Sequence, residues 1–272
     1  MSDPPTIDPP TVDDVVLYEV REPGIALITL NRPQRLNAWT AAMGVRYFAL
    51  LDEASADDAV KVIVVTGAGK GFCAGADLAD LKNAGSGTAG EGLFRNQFDT
   101  VKVPKPVIAA INGAAAGMGL AQALMCDIRF AAKGAKLTTS FGQRGLIAEW
   151  GLSWSLPRVV GTGRALDLLY SGRVVTGDEA AAMGLVNEAV DADHLLEHTL
   201  AYAANLARTV SPTSMAVIKR QVYDDWNKDL VTAHDDAVEL MKQSFRRTDA
   251  AEGVASFLEK RPPQFSPVDP SA

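Results

Sequence analysis

Lys105 to Ala132 reads "KPVIAAINGAAAGMGLAQALMCDIRFAA", and this stretch decides the fold. Val107 to Ile111 is an unbroken apolar run, the pattern of a strand buried on both faces. Gly113 to Gly119 is a turn of glycine and alanine, broken only by Met118. The chain then runs into a helix, and "DIRFAA" reads as the next short strand. Strand, small-residue turn, helix and strand form the unit of a parallel α/β sheet.

The pattern extends in both directions. Upstream, "VVLYEV" and "GIALITLN" flank "REPG" and predict a hairpin. "TAAMGVRYFALLDEASAD" has helical spacing, with Met43, Phe48, Leu50 and Leu51 on one apolar face. "VKVIVVTG" is another buried-type strand. Downstream, "AKLTTS" predicts a further strand and "TGDEAAAMGLV" a short helix with Thr176 as N-cap. From Asp193 the spacing predicts long helices: His194–Thr209, Pro212–Lys228, Leu230–Arg247 and Asp249–Lys260. Ser211-Pro212 supplies an N-cap and an N1 proline. An α/β part therefore precedes a helical part, with the boundary near 195–205.

The composition narrows the function. The chain has 272 residues, with 47% hydrophobic and 22% charged, as in soluble globular proteins. Its net charge of −7, from 26 basic and 33 acidic residues, argues against nucleic acid as a partner. Cys73 and Cys126 form no CxxC pair, which favours a reducing compartment and a cytoplasmic location. "MSDPPTIDPPTVDD" lacks the basic and apolar regions of a signal peptide and reads as a disordered tail. No run approaches the ~18 apolar residues of a membrane span. His194 and His198 are four apart, but HExxH is not matched, so a solvated helix face is preferred to a metal site.

Two turns place small residues between a strand and a helix: Thr66 to Leu78, "TGAGKGFCAGADL", and Ile111 to Ala123, "INGAAAGMGLAQA". A helix starting there offers free N–H groups and its positive dipole end to an anion or a polarised carbonyl. Tight helix–strand packing is the alternative reading of each turn. "GAGKGF" fails the Walker A spacing. "GAAAGMG" has the GxxxGxG form of nicotinamide-dependent short-chain dehydrogenases. Those pair a Tyr with a Lys four residues on, and no tyrosine here is followed so.

"LNRPQRLNAW", "GKGFCAGADL", "NGAAAGMGLAQALMCDIRFAA" and "LPRVVGTGRALDLLYSGRVVTGDEAAAMGLVNEAV" together resemble the enoyl-CoA hydratase/isomerase (crotonase) superfamily over residues 13–262. The resemblance implies a ββα spiral core, over 13–200, and a C-terminal helical trimerisation region, over 201–262, between tails at 1–12 and 263–272. It implies an acyl-CoA thioester substrate, no separate cofactor, and a homotrimer or hexamer. Carried over by motif, the N–H groups of Ala76 and Met118 bind the thioester oxygen, with Gly117 beside them. Arg35, Leu36 and Ala38 correspond to the CoA-contacting loop, and Ala74, Asp77 and Leu78 to its tunnel. Phe257 and Lys260 match positions that reach a neighbouring subunit's CoA.

The glutamates with which family hydratases add water fall here on Ala121 and Gly145, and neither can titrate. Gln122 and Arg144 stand next to them, with side chains expected to point elsewhere. Glu149, in "GLIAE", matches the carboxylate of Δ3,Δ2-enoyl-CoA and dienoyl-CoA isomerases, so the resemblance implies double-bond isomerisation with one Glu base. Three other readings stand beside it: hydration by Glu149 alone, a non-catalytic acyl-CoA-binding protein, and a remote dehydrogenase. From the residues alone, Glu149 also fits the first turn of a helix starting near Trp150. Asp127 reads as a local partner of Arg129.

Overall fold

The structure, a computed structural model, describes residues 14–77 and 95–269. The N-terminal segment read as a disordered tail lies almost wholly outside them. Strands β1 (Val16–Arg21) and β2 (Ile25–Leu30) form the expected antiparallel hairpin, with Val16 opposite Leu30. Helix α1 (Ala41–Ala56) follows, capped by the Thr40 side chain. β3 (Val62–Gly67) then pairs with β2 in parallel.

Immediately after β3 the chain turns over and gives a three-residue strand, β4 (Gly71–Cys73), to a second sheet. The same step repeats. β5 (Val107–Ile111) in the large sheet is followed by β6 (Ala114–Ala116) in the small one, and β7 (Ile128–Ala132) by β8 (Lys136–Thr138). β9 (Val175–Thr176) closes the small sheet and β10 (Glu188–Val190) the large one. The large sheet has the order β1-β2-β3-β5-β7-β10 and the small one β4-β6-β8-β9. The result is a ββα spiral in which each turn of chain lays one strand on each sheet.

Helix α2 (Met118–Leu124) packs on β4 and β6. Its approach is set by glycine. A Cβ on Gly119 would overlap the Cys73 carbonyl, and one on Gly113 the Lys70 carbonyl. Helices α3 (Leu152–Val160), α4 (Thr162–Ser171) and α5 (Gly177–Ala182) follow, the last capped by Thr176 as expected. α6 (Leu195–Thr209) lies across β2, β3, β5 and β7, which explains why β3 and β5 are buried along their whole length.

The C-terminal helices are α7 (Pro212–Asp225), α8 (Leu230–Ser244) and α9 (Thr248–Glu259). α7 is tied to the core by a nearly buried ion pair, Lys219 to Asp127 at 2.8 Å. Asp127 also accepts from the Val107 N–H at 2.7 Å and from the Tyr223 hydroxyl at 3.2 Å. The expected Asp127–Arg129 hydrogen bond is not formed. Arg129 instead donates to the carbonyls of Cys126 and Leu185. Buried carbonyls without acceptor bonds are costly, and a guanidinium reaches two of them at once. Of the stretch read as a tail from Pro263 on, the described part runs back along α9, with the Gln264 N–H on Glu252 and the Ser266 N–H on Asp249.

Gly119→Ala forces a methyl group into backbone atoms that cannot swing aside. The expected loss is about 3 kcal/mol, the upper end for overpacking. Gly134, with nothing within 4 Å of its Cβ position, is the control, and Gly134→Ala is expected to change stability by no more than ~0.5 kcal/mol. Urea unfolding of both variants checks this; equal midpoints would mean that α2 and β4 do not meet at Gly119.

Candidate active site

Ala76 follows β4 and forms a parallel bridge with Trp39. The Trp39 N–H donates to the Gly75 carbonyl at 2.7 Å, and the Asp77 N–H donates to the Trp39 carbonyl at 2.9 Å. The residues either side of Ala76 make those bonds, so its own N–H points away from Trp39. Met118 is the first residue of α2, where an N–H has no partner within the helix. Gly117 precedes it at φ +51, a conformation that favours glycine. Neither N–H has an acceptor among the described residues.

Both residues line one cleft of about 290 Å³. The structure brings together most of the residues expected there: Arg35, Ala38, Ala74, Ala76, Asp77, Gly117, Met118 and Glu149. Leu36 does not line it; left-handed at φ +48, it packs beside Gly71. Leu78 lies outside the described residues. Phe257 and Lys260 sit at the end of α9, and neither lines the cleft of its own chain.

The far wall was missed in the sequence. It comprises Ser140, Phe141, Arg144, Leu146 and Trp150. Phe141 covers Gly117, its ring 3.6 Å from where a Cβ would stand. Arg144, expected to point elsewhere, is part of this wall because the 3-10 turn Gly142–Arg144 ends on a left-handed Gly145. Gln122 does point away, donating to Tyr47 at 2.8 Å and Thr100 at 3.2 Å.

Glu149 is half-buried, and its carboxylate has no partner among the described residues. The helix-start reading of this residue is corrected. α3 begins at Leu152 with Gly151 as N-cap, and both Trp150 (φ +56) and Gly151 (φ +76) are left-handed. Those two residues put Glu149 before the first turn, where the helix dipole acts weakly. A left-handed Trp costs about 1–2 kcal/mol, and strain of this kind gathers at functional sites. The other carboxylate of the cleft, Asp77, is held by Arg32 at 3.0 Å. Cys73 is buried and its thiol pushed up to about 11, chiefly by that burial, so it stays protonated and is a poor nucleophile.

The turn between β3 and β4 is clamped from two sides. Asn37 is fully buried and left-handed, at φ +57. It accepts from the Arg32 N–H at 2.7 Å and donates to the Gly71 carbonyl at 2.7 Å and the Ala68 carbonyl at 3.0 Å. Asn112 accepts from the Gly67 N–H at 3.1 Å and donates to the Gly69 carbonyl at 3.0 Å. Both asparagines stand in the quoted motifs, and their polarity beside apolar strands was the available signal.

A two-sheet spiral carrying paired N–H groups from two glycine-rich turns, without protein acceptors among the described residues, defines the crotonase fold. The enoyl-CoA hydratase/isomerase family model matches residues 20–267. The 1,2-epoxyphenylacetyl-CoA isomerase of Escherichia coli is 37% identical over 253 residues, 90% of this chain and 96% of that protein. A probable enoyl-CoA hydratase of Rhodobacter capsulatus is 38% identical, covering 92% and 97%. Among solved structures, a probable enoyl-CoA hydratase/isomerase from Mycobacterium abscessus superposes with a TM-score of 0.86 at 30% identity, over 93% of this chain and 98% of that one. The chain belongs to the enoyl-CoA hydratase/isomerase family of acyl-CoA enzymes.

Asn37→Ala removes three hydrogen bonds and leaves alanine in a left-handed conformation. A loss of about 2–4 kcal/mol is expected. Asn37→Gly keeps the backbone unstrained and is expected to recover ~1 kcal/mol of it. Denaturant midpoints of the two variants separate the clamp from the strain.

Proposed function

We propose that the enzyme moves a carbon–carbon double bond within an enoyl-CoA thioester. The observation that carries this reading is that, among the described residues, Glu149 is the cleft carboxylate without a protein partner, in the same cleft as two backbone N–H groups. The thioester oxygen accepts from Ala76 and Met118. Glu149 takes a proton from C2 of a 3-enoyl chain. The electron pair passes to the thioester as an enolate, which the two N–H groups stabilise. The same carboxyl returns the proton to C4, leaving a 2-enoyl chain and a regenerated carboxylate. The proton moves between carbons with no net oxidation, so the scheme needs neither metal nor nicotinamide.

The absence of titratable groups at Ala121, which is fully buried, and at Gly145 supports isomerisation over hydration. The hydratase name carried by the Rhodobacter relative supports a second reading, in which Glu149 alone activates water. Two free, buried cysteines support a reducing, cytoplasmic compartment.

Glu149→Gln keeps shape and polarity but removes the base. Turnover of a 3-enoyl-CoA is expected to fall by at least ~10²-fold. Acyl-CoA affinity and melting temperature are expected to hold, because both N–H groups remain and Glu149 has no protein partner to lose. Near wild-type turnover in this variant would sink the assignment, and a 3-hydroxyacyl product would favour hydration.

A trimer, or a pair of trimers, is the proposed assembly. The last two helices leave Phe245, Val254, Phe257 (82% exposed) and Leu258 (73% exposed) open to water, a patch that soluble monomers rarely show. Light scattering at micromolar concentration is expected to give three or six chains; a stable monomer overturns this and the reach of Phe257 and Lys260 to a neighbour's CoA.

A further inference from the structure

Arg144 is the cation on the loop that carries Glu149. One of its N–H groups is anchored on the Ser140 carbonyl at 2.8 Å. The rest of the guanidinium has no acceptor and no carboxylate partner among the described residues. Around it the lining is mixed, with Met118, Phe141, Leu146 and Trp150 beside Ser140 and Glu149. A guanidinium has five donors in a planar fork that matches a carboxylate. Arg144 is solvent-exposed where it lines the cleft, so its spare donors now face water and can exchange it for the acceptor oxygens of an anionic ligand group.

The position of Arg144 in the chain decides which part of a ligand that is. Arg35 and Ala38 come from the loop zipped to Ala74–Asp77 by main-chain bonds. Arg144 comes from the loop 140–151, with Phe141 and Glu149. An acyl chain whose carbonyl oxygen meets the Ala76 and Met118 N–H groups shares its cleft with the side chains of Glu149 and Arg144. Glu149 repels a carboxylate and Arg144 attracts it, so the two charges orient an acidic chain with its end away from the base.

We propose that Arg144 is a specificity-determining residue that selects acyl groups ending in a carboxylate, the mono-CoA thioesters of dicarboxylic acids. This rests on the acyl-CoA reading of the cleft but not on the reaction assigned to Glu149. The test uses a series of short saturated acyl-CoA thioesters, each chain prepared with a methyl end and with a carboxylate end. Having no double bond, these cannot isomerise or hydrate, so calorimetric binding reports on Arg144 whatever Glu149 does.

At the chain length that reaches Arg144, the full-length protein is expected to bind the carboxylate-ended thioester more tightly than its methyl-ended counterpart. Arg144→Gln is expected to lower that preference by about 10- to 100-fold, the range of a charge-assisted hydrogen bond. Arg144→Lys is expected to restore part of it, since the charge returns without the fork. No preference at any chain length overturns the proposal. So does an equal loss for both members of every pair in Arg144→Gln, which would place the guanidinium on the CoA portion common to them.

Discussion

The contact between Gly119 and the Cys73 carbonyl sets how closely the two glycine-rich turns can approach. β4 ends at Cys73 and leads within three residues to Ala76. α2 begins at Met118, one residue before the contact. One backbone-on-backbone approach therefore fixes the spacing of two N–H groups that come from chain segments some forty residues apart. Everything else in the core serves this approach. The large sheet supplies rigid strands on which the turns stand. The small sheet exists because each strand turns over at once instead of running on into a helix. Asn37 and Asn112 then satisfy the carbonyls that the sharp turn leaves open.

The part of the cleft that carries Glu149 is built on a different principle. From Ser140 to Gly151 the chain has four left-handed residues: Ser140, Gly145, Trp150 and Gly151. Two of them carry side chains that oppose this conformation. The strain delays α3 until Leu152 and leaves Glu149 and Arg144 on a loop that faces the cleft. A helix started at Trp150 would have bound Glu149 into its own first turn. The cost in local stability thus keeps a carboxylate available to a ligand.

Much of this was legible in the sequence, for identifiable reasons. β3 and β5 are apolar runs long enough to mark buried strands, and the caps Thr176 and Ser211 use ordinary side-chain chemistry. β4 and β6 were read as parts of turns, because three residues of glycine, alanine, phenylalanine and cysteine show no alternation. The direction of Arg144 was misread for a similar reason. Neither strand nor helix periodicity holds across a 3-10 turn that ends on a left-handed glycine. Asp127 was paired with its neighbour in sequence, while its partner Lys219 stands on a helix ninety-two residues further on. Contacts of that range leave no local pattern to read.

The paired donors belong to the main chain, and this shapes what the scaffold can become. Point mutation removes a side chain easily, but it removes an N–H only by introducing proline. At Met118 any residue but proline supplies the same N–H, so side-chain identity and donor are decoupled at that position. Side chains around the cleft can therefore be exchanged while both N–H groups persist through every intermediate sequence. A lineage built on such a site can change its reaction without first losing its grip on the substrate class.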